Sequence, residues 1–361
     1  MEPIRVGING MGNIGRLALR VLQAYQQVGI IDVVAVNNRN RTPEQMAYLV
    51  KWDSLYGRFD GSLEYDDKHL IVNGRNVEVL KESSTRNLPW GDLGVKVVLE
   101  STGRFRKAEG GEGGYMDHIE QGAEYVVISA PPKDDLAKTV VIGVSFDPRK
   151  PETYKPIFER YRAISNASCS ANCIVPLLYV IGALGIEKGD ATIIHAYTGS
   201  QELQDGYSKD FTKGRAAGLN ISPTGSGLSD SIASIFPNLV DKVDLIEANT
   251  YRVPVPVVSM AQLLLNVREE ASKDRINEAF LEASKASLEG ILEYSPEKHM
   301  TSTMLKGNPH SSVLESLATS NPWNDQHWIR VRSWFDNQWG YANRTAELIV
   351  KIAEHISRRK E

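Results

Sequence analysis

Short apolar runs rich in valine and isoleucine recur through the first half of the chain, at residues 4–9, 33–37, 95–100 and 125–129. Between them lie amphipathic stretches such as 13–26 and 42–50. In the first of these Ile14, Leu17, Ala18, Val21, Leu22 and Tyr25 fall at helical spacing. Strands alternating with helices predict a parallel sheet covered on both faces. The texture changes after Asn172. A helix over 170–184 and a strand over 191–195 are followed by a polar, glycine-containing stretch, 199–227, too long for an ordinary loop and so read as functional. A long strand-like run, 251–267, comes next. The last helical pattern, 342–356, carries Ala346, Ile349, Val350, Ile352 and Ala353 on one side. Residues 145–163, with Pro148, Pro151 and Pro156, read as a connector between domains. The run Glu109-Gly110-Gly111-Glu112-Gly113-Gly114 has two glutamates that would repel an anion, so it reads as a mobile surface loop.

Composition narrows the function. The chain has 361 residues, 42% hydrophobic and 24% charged, which suits a soluble protein of two domains. Lys and Arg number 41 against 45 Asp and Glu, a net charge of −4. That argues against nucleic acid or a membrane surface as partner, since both need clustered positive charge. The longest apolar stretch, 174–186, is interrupted by Pro176 and two glycines, and the start has no signal-peptide layout. Cys169 and Cys173 are the only cysteines, so no disulfide framework is expected. A cytoplasmic enzyme without a metal site is the expectation.

The first strand runs into Gly10-Met11-Gly12-Asn13-Ile14-Gly15, a G-x-G-x-x-G between strand and helix with a second strand close behind. That context makes it a dinucleotide fingerprint: glycines permit a tight turn and close approach of backbone to a pyrophosphate, whose charge meets the helix N-terminus. The acid expected about twenty residues further on, which would bind a ribose hydroxyl, is replaced by Asn38, followed by Arg39 and Arg41. A carboxylate would repel a 2′-phosphate, whereas Asn38 and Arg39 accept one. NADP is therefore favoured over NAD.

Ser165-Asn166-Ala167-Ser168-Cys169-Ser170-Ala171-Asn172-Cys173 precedes an apolar helical pattern. With Ser168 as N-cap, Cys169 lies in or beside the first turn, where unpaired amides and the helix dipole lower a thiol pKa. Cys173, one turn on, reads as a small buried hydrophobe.

These motifs resemble the phosphorylating glyceraldehyde-3-phosphate dehydrogenases. The likeness is carried by Asn9–Arg16 and Ser165–Cys173, and extended by Glu100-Ser101-Thr102-Gly103-Arg104-Phe105, His195-Ala196-Tyr197-Thr198 and Ser333-Trp334-Phe335-Asp336-Asn337-Gln338-Trp339-Gly340-Tyr341, in the family's order. The resemblance implies an α/β chain: a Rossmann domain with a parallel sheet at 1–168, completed by a C-terminal helix at 337–361, and an α+β catalytic domain at 169–336. It implies a homotetramer. It also implies Cys169 as nucleophile and His195 as its base. Thr198 and Arg252 match the site for the substrate's phosphate, and Ser168, Ser170, Ser226 and Gly227 the site for attacking inorganic phosphate. Gly10, Gly12, Asn13, Ile14, Gly15, Ser129 and Asn337 fall on the NAD(P) site.

Several positions depart from the family. Asn13 replaces an arginine, leaving the pyrophosphate short of a cation. Ser170-Ala171 replaces two threonines, and Thr224-Gly225-Ser226-Gly227 a threonine-rich loop. An arginine-rich run is reduced to Lys213-Gly214-Arg215, which leaves either Lys213 or Arg215 to meet the phosphate. Gly206-Tyr207 stands where NAD-specific members carry Leu-Pro, a second departure toward NADP. Glyceraldehyde 3-phosphate and inorganic phosphate are the expected substrates. The alternatives are an erythrose-4-phosphate dehydrogenase, from which Thr198 points away, and a non-catalytic nucleotide-binding regulator, which would be expected to lose Cys169, His195, Arg252 or Asn337.

Overall fold

The computed structural model describes residues 2–225, 227–236 and 246–359. The chain forms two compact units, one from residues up to 140, 146–167 and those from 342 on, the other from 141–145 and 168–341.

The first unit contains β1 (Ile4–Asn9), β2 (Ile31–Asn37), the short pair β3 (Trp52–Asp53) and β4 (Gly57–Arg58), β5 (Leu63–Tyr65), β6 (His69–Val72), β7 (Arg75–Leu80), β8 (Val97–Glu100), β9 (Tyr125–Ile128), β10 (Lys138–Thr139) and β11 (Ala163–Ser165). Its helices are α1 (Asn13–Gln27), α2 (Pro43–Lys51), α3 (Asp117–Glu120) and α4 (Pro151–Arg160). A nine-stranded sheet runs β10-β11-β9-β8-β1-β2-β7-β6-β5. The strands from β10 to β7 are parallel, and β6 and β5 add an antiparallel edge. The order β7-β2-β1-β8-β9-β11 is the doubly wound arrangement, whose strand order reverses between β1 and β8 and opens a crevice at their carboxyl ends. Valines and isoleucines of β1, β2, β8 and β9 are buried throughout, because helices cover both faces. The proline-bearing stretch is more than a connector: Pro151 starts α4, where a missing N–H costs nothing, and Tyr154 and Phe158 pack with Phe146. The glycine-rich 109–114 run is tied down as well. Arg86 donates to the Gly110 and Gly111 carbonyls, Arg104 pairs with Glu112, and Gly113 and Gly114 are buried.

The second unit holds α5 (Cys169–Ile181), β12 (Ile186–Ala196), β13 (Ser222–Thr224), α6 (Leu228–Ile235), β14 (Ile246–Val253), β15 (Ser259–Val267), α7 (Lys273–Lys285), β16 (Leu292–Ser295), β17 (Ser312–Glu315) and β18 (Trp328–Phe335). α8 (Trp339–Arg358) begins here, and from Ala342 on it belongs to the first unit. A seven-stranded mixed sheet runs β13-β14-β12-β15-β18-β17-β16. The expected single run 251–267 is two strands. Pro254 and Pro256 cannot continue a ladder, and Val258 turns the chain at φ 64. In β15 and β18 buried residues alternate with half-exposed ones, so one face is core. α5 is apolar on nearly every side and buried, packed on β17 and β18. Among the described residues, no helix is long and apolar enough to cross a membrane.

Candidate active site

In the first unit the site is made largely of backbone. After β1 the chain turns through Gly10 at φ +104, where a Cβ would lie 2.7 Å from the Thr102 amide nitrogen. A Cβ on Gly15 would overlap the Gly10 carbonyl oxygen, so helix and turn meet only if both are glycine. Gly12 caps α1 without a side-chain hydrogen bond, and the first turn, which starts at Asn13 and Ile14, carries no acid. The first amides of a fifteen-residue helix are thus available to an anion. Two guanidinium groups lie against the turn. Arg16 donates to Asn13 Oδ1 (3.0 Å) and to the Met11 carbonyl (3.1 Å), and Arg41 donates to that same carbonyl (3.0 Å). A cavity of about 270 Å³ opens over this turn, lined by Gly10, Gly12, Asn38, Arg39, Glu82 and Thr102 among others. Asn38 accepts from the Asn40 amide (3.3 Å), and Arg39 is exposed with no side-chain partner among the described residues. Ser129 donates to the Glu100 carbonyl at 3.1 Å. A roomier cavity, about 720 Å³ beside Tyr48, Trp52 and Tyr65, contains none of the candidate residues.

A buried network that the sequence did not announce lies beneath this turn. Glu100, 2% exposed, accepts from Asn9 Nδ2 (2.6 Å), His118 Nε2 (3.0 Å), the Thr102 amide (2.9 Å) and the Thr102 hydroxyl. Trp90 Nε1 donates to His118 Nδ1 (3.0 Å), so Nδ1 accepts and the ring N–H that faces Glu100 is on Nε2. Asn37 in turn donates to Asn9 Oδ1 (2.8 Å). The ends of β1, β2 and β8, which carry the cofactor turn, are locked together by fully satisfied polar groups.

In the second unit side chains take over. Ala167 sits at φ 48, and Ser168 then caps α5, accepting from the Ala171 amide at 3.1 Å. Cys169 is therefore the first residue of the helix and Ser170 the second. β12 and β14 are parallel, and their register sets His195 opposite Arg252. His195 Nε2 lies 3.4 Å from Cys169 Sγ, while Nδ1 lies 2.6 Å from both the Ala196 carbonyl oxygen and Arg252 Nη1. The ring of Phe335 meets His195 edge-on at 6.0 Å. Asn337, 4% exposed, is oriented by a residue the sequence did not flag. Ser259 accepts from the Ala196 amide (3.0 Å), so its hydroxyl proton goes to Asn337 Oδ1 (3.2 Å) and the amide nitrogen of Asn337 is left to donate.

The protonation states differ from expectation. The amides of Cys169 and Ser170 do pull the thiol down, as a helix start should, and Arg252 pulls harder. Burial outweighs all of them and pushes the thiol up, so the lowered pKa expected from local sequence is corrected. Burial and then Arg252 bring His195 down to about 3, against a weaker upward pull from the Ala196 carbonyl. The resting pair at neutral pH is thiol and neutral imidazole. Cys173 is buried, and burial raises it to about 12.

The remaining predicted residues are dispersed. Thr198 Oγ1 lies 2.9 Å from Ser200 Oγ. Arg215 is exposed and ion-paired with Asp205 (2.9 Å), and Lys213 with Asp210 (3.0 Å), so each of these two cations faces a carboxylate. Gly227 is the exposed N-cap of α6, and Ser226 lies outside the described residues. Gly206 and Tyr207 are exposed.

A doubly wound sheet with an anion-accepting glycine turn, and a cysteine–histidine pair in a second, mixed α+β unit, define a nicotinamide-dependent oxidoreductase that works through a thiol. Residues 4–108 match the family model of the glyceraldehyde 3-phosphate dehydrogenase NAD binding domain, and residues 168–337 that of the C-terminal domain. A glyceraldehyde-3-phosphate dehydrogenase of Mycobacterium tuberculosis is 41% identical over 98% of this chain and 99% of its own. Glyceraldehyde-3-phosphate dehydrogenase 2 of Bacillus subtilis is 36% identical over 98% of both chains, and the enzyme of Cochliobolus heterostrophus 39% over 97% and 98%. The chain belongs to the glyceraldehyde 3-phosphate dehydrogenase family.

Proposed function

We propose that this protein oxidises D-glyceraldehyde 3-phosphate and couples the oxidation to inorganic phosphate, giving 1,3-bisphosphoglycerate. The observation that carries the reading is the 3.4 Å approach of His195 Nε2 to Cys169 Sγ at the start of a buried helix, with the Arg252 guanidinium alongside. Cys169 adds to the aldehyde carbon, and His195 Nε2 takes the proton of the resulting hemithioacetal hydroxyl. The Gly10–Gly15 turn, the α1 amides, Asn38, Arg39 and Asn337 would hold NAD(P), which would supply the hydride acceptor. The acyl group stays on Cys169 as a thioester until inorganic phosphate, admitted beside Ser168, Ser170 and Gly227, displaces the sulfur. Arg252 and Thr198 hold the substrate's phosphate, and the planar guanidinium suits two charge-assisted hydrogen bonds. Arg215 joins the phosphate site only after leaving Asp205.

Preference for NADP is part of the proposal. The neutral Asn38 and the unpaired Arg39 support it, and the Glu82 carboxylate on the same cavity opposes it, so a preference of degree is expected. A homotetramer is proposed as well. Leu203, Tyr207, Phe211, Leu219 and Ile221 are between 69% and 85% exposed along one segment, apolar side chains that a neighbouring subunit would cover. The cytoplasm is the compartment proposed, where a free thiol stays reduced. Initial rates with glyceraldehyde 3-phosphate, with and without inorganic phosphate and with NAD and NADP in parallel, test the reading. Phosphate-dependent turnover, faster with NADP, is expected. Turnover indifferent to phosphate overturns the phosphorylating reaction, and a preference for NAD overturns the cofactor assignment alone.

A further inference from the structure

One nitrogen of the catalytic imidazole carries two demands that a single protonation state cannot meet. His195 Nδ1 is 2.6 Å from an acceptor, the Ala196 carbonyl, and 2.6 Å from a donor, Arg252 Nη1. With the proton on Nδ1, the ring donates to Ala196 and the Nε2 lone pair faces Cys169, the form a base must have, but Nδ1–H then opposes Arg252 N–H. With the proton on Nε2, Nδ1 accepts from Arg252, and Nε2 can take nothing from sulfur or substrate. Arg252 Nη1 also donates to the Ala196 carbonyl (3.0 Å), so the guanidinium and Nδ1–H would share that oxygen.

Arg252 is poorly committed elsewhere. It has no ion pair among the described residues, and its Nε is buried without a partner. The groups facing His195 are Cys169 at Nε2, Arg252 and Ala196 at Nδ1 and the Phe335 ring on its side, with Tyr341 as the other titratable neighbour of the sulfur. Among the described residues no carboxylate pairs with the guanidinium there. A dianionic phosphate is a far better partner for it than a neutral imidazole nitrogen.

We infer that Arg252 is a positioning residue for His195: an oxyanion that engages the guanidinium frees Nδ1 to donate to the Ala196 carbonyl and turns the Nε2 lone pair toward Cys169. One proton leaves Nε2 and one arrives on Nδ1 by exchange with solvent, with no net change in charge. The base is thus set by the phosphate of the substrate, and an aldehyde that lacks one meets a histidine in its idle form. This rests on the proposed assignment of Arg252 to the substrate's phosphate and adds a second role for it.

The test uses D-glyceraldehyde, which has no phosphate, with phosphite dianion added separately, and reads the rate of the single-turnover burst of reduced nicotinamide, which precedes any need for inorganic phosphate. In the native protein saturating phosphite is expected to raise the burst rate constant at saturating glyceraldehyde at least about tenfold, as restoring a general base should. The Arg252→Ala protein, with nothing donating to Nδ1, is expected to react with glyceraldehyde faster than the native protein without phosphite, and to ignore phosphite. A purely electrostatic role for Arg252 predicts the opposite order. A native burst rate unmoved by phosphite overturns the inference without need of a variant, as does an Arg252→Ala rate no higher than the phosphite-free native one. Glyceraldehyde 3-phosphate is run alongside, since its failure to react would sink the functional reading, whereas its reaction without a phosphite effect sinks this inference alone.

Discussion

The two units build their candidate sites from different materials. The first uses backbone: a turn that admits only glycine at Gly10 and Gly15, the open amides of α1, and guanidinium groups that brace the turn through the Met11 carbonyl. The second uses side chains, Cys169, His195 and Arg252, brought together from a helix start and two neighbouring strands. The sheets differ in the same sense. In the first unit the central strands are buried on both faces, whereas β15 and β18 alternate between core and half-exposed positions. A backbone site tolerates most side-chain changes and fails when a Cβ is added. A side-chain site fails when one functional atom is removed, while its fold persists.

The largest effect should follow from Cys169→Ser. Turnover is expected to fall by about a thousandfold or more, because a serine hydroxyl is both far harder to deprotonate and intrinsically less nucleophilic than the Cys169 thiol. Dinucleotide binding, read by calorimetry, should be little changed, and equal loss of both would erase the distinction between the units. Leu263→Ala in β15 should come next, costing about 2–5 kcal/mol of stability because the residue is fully buried, while its neighbour Leu264 on the half-exposed face should cost clearly less. Equal shifts in thermal midpoint for the two would contradict the alternation. Gly15→Ala, on the backbone side, should cost about 1–3 kcal/mol through the overlap with the Gly10 carbonyl, and should weaken dinucleotide binding before it touches alkylation of Cys169.

A further effect is a pH dependence. His195 is held at about 3 in the folded protein, against 6.5 when unperturbed. Between these values the unfolded chain binds the extra proton, so stability should be complete above about pH 6.5 and fall as the pH drops toward 3, with no further loss from this group below that. Chemical unfolding at pH 7, 5.5 and 4.5 should show a shallower decline for His195→Gln than for the native protein. Parallel declines would show that the imidazole is not held neutral.

Much of this was readable along the chain wherever the requirement was local. The glycine turn, the α1 pattern and the Ser168 cap with Cys169 beside it each depend on a handful of consecutive residues, and each forms where expected. The hairpin β6–β7 also had a local signal that went unread: Asn73 and Gly74, at φ 50 and φ 78, form the two-residue turn that this pair favours. α4 was hidden behind its prolines, although Pro151 at a helix start is among the commoner places for one. The Glu100 network, Ser259 behind Asn337 and the brace of Arg41 on the Met11 carbonyl left no such trace. Their partners are far apart in sequence, and a lone glutamate, serine or arginine says nothing of whom it will meet.

The sequence by itself determined where backbone must bend and where a helix must start, because those constraints act between near neighbours. Tertiary structure alone decided which charges face one another and how dry they are. The helix start at Cys169 argues for a thiolate, and its amides do pull that way. Burial pulls further in the other direction, and the β12–β14 register sets a guanidinium against the imidazole. Desolvation and charge act through space rather than along the chain, so the protonation of the cysteine–histidine pair is set by the tertiary fold.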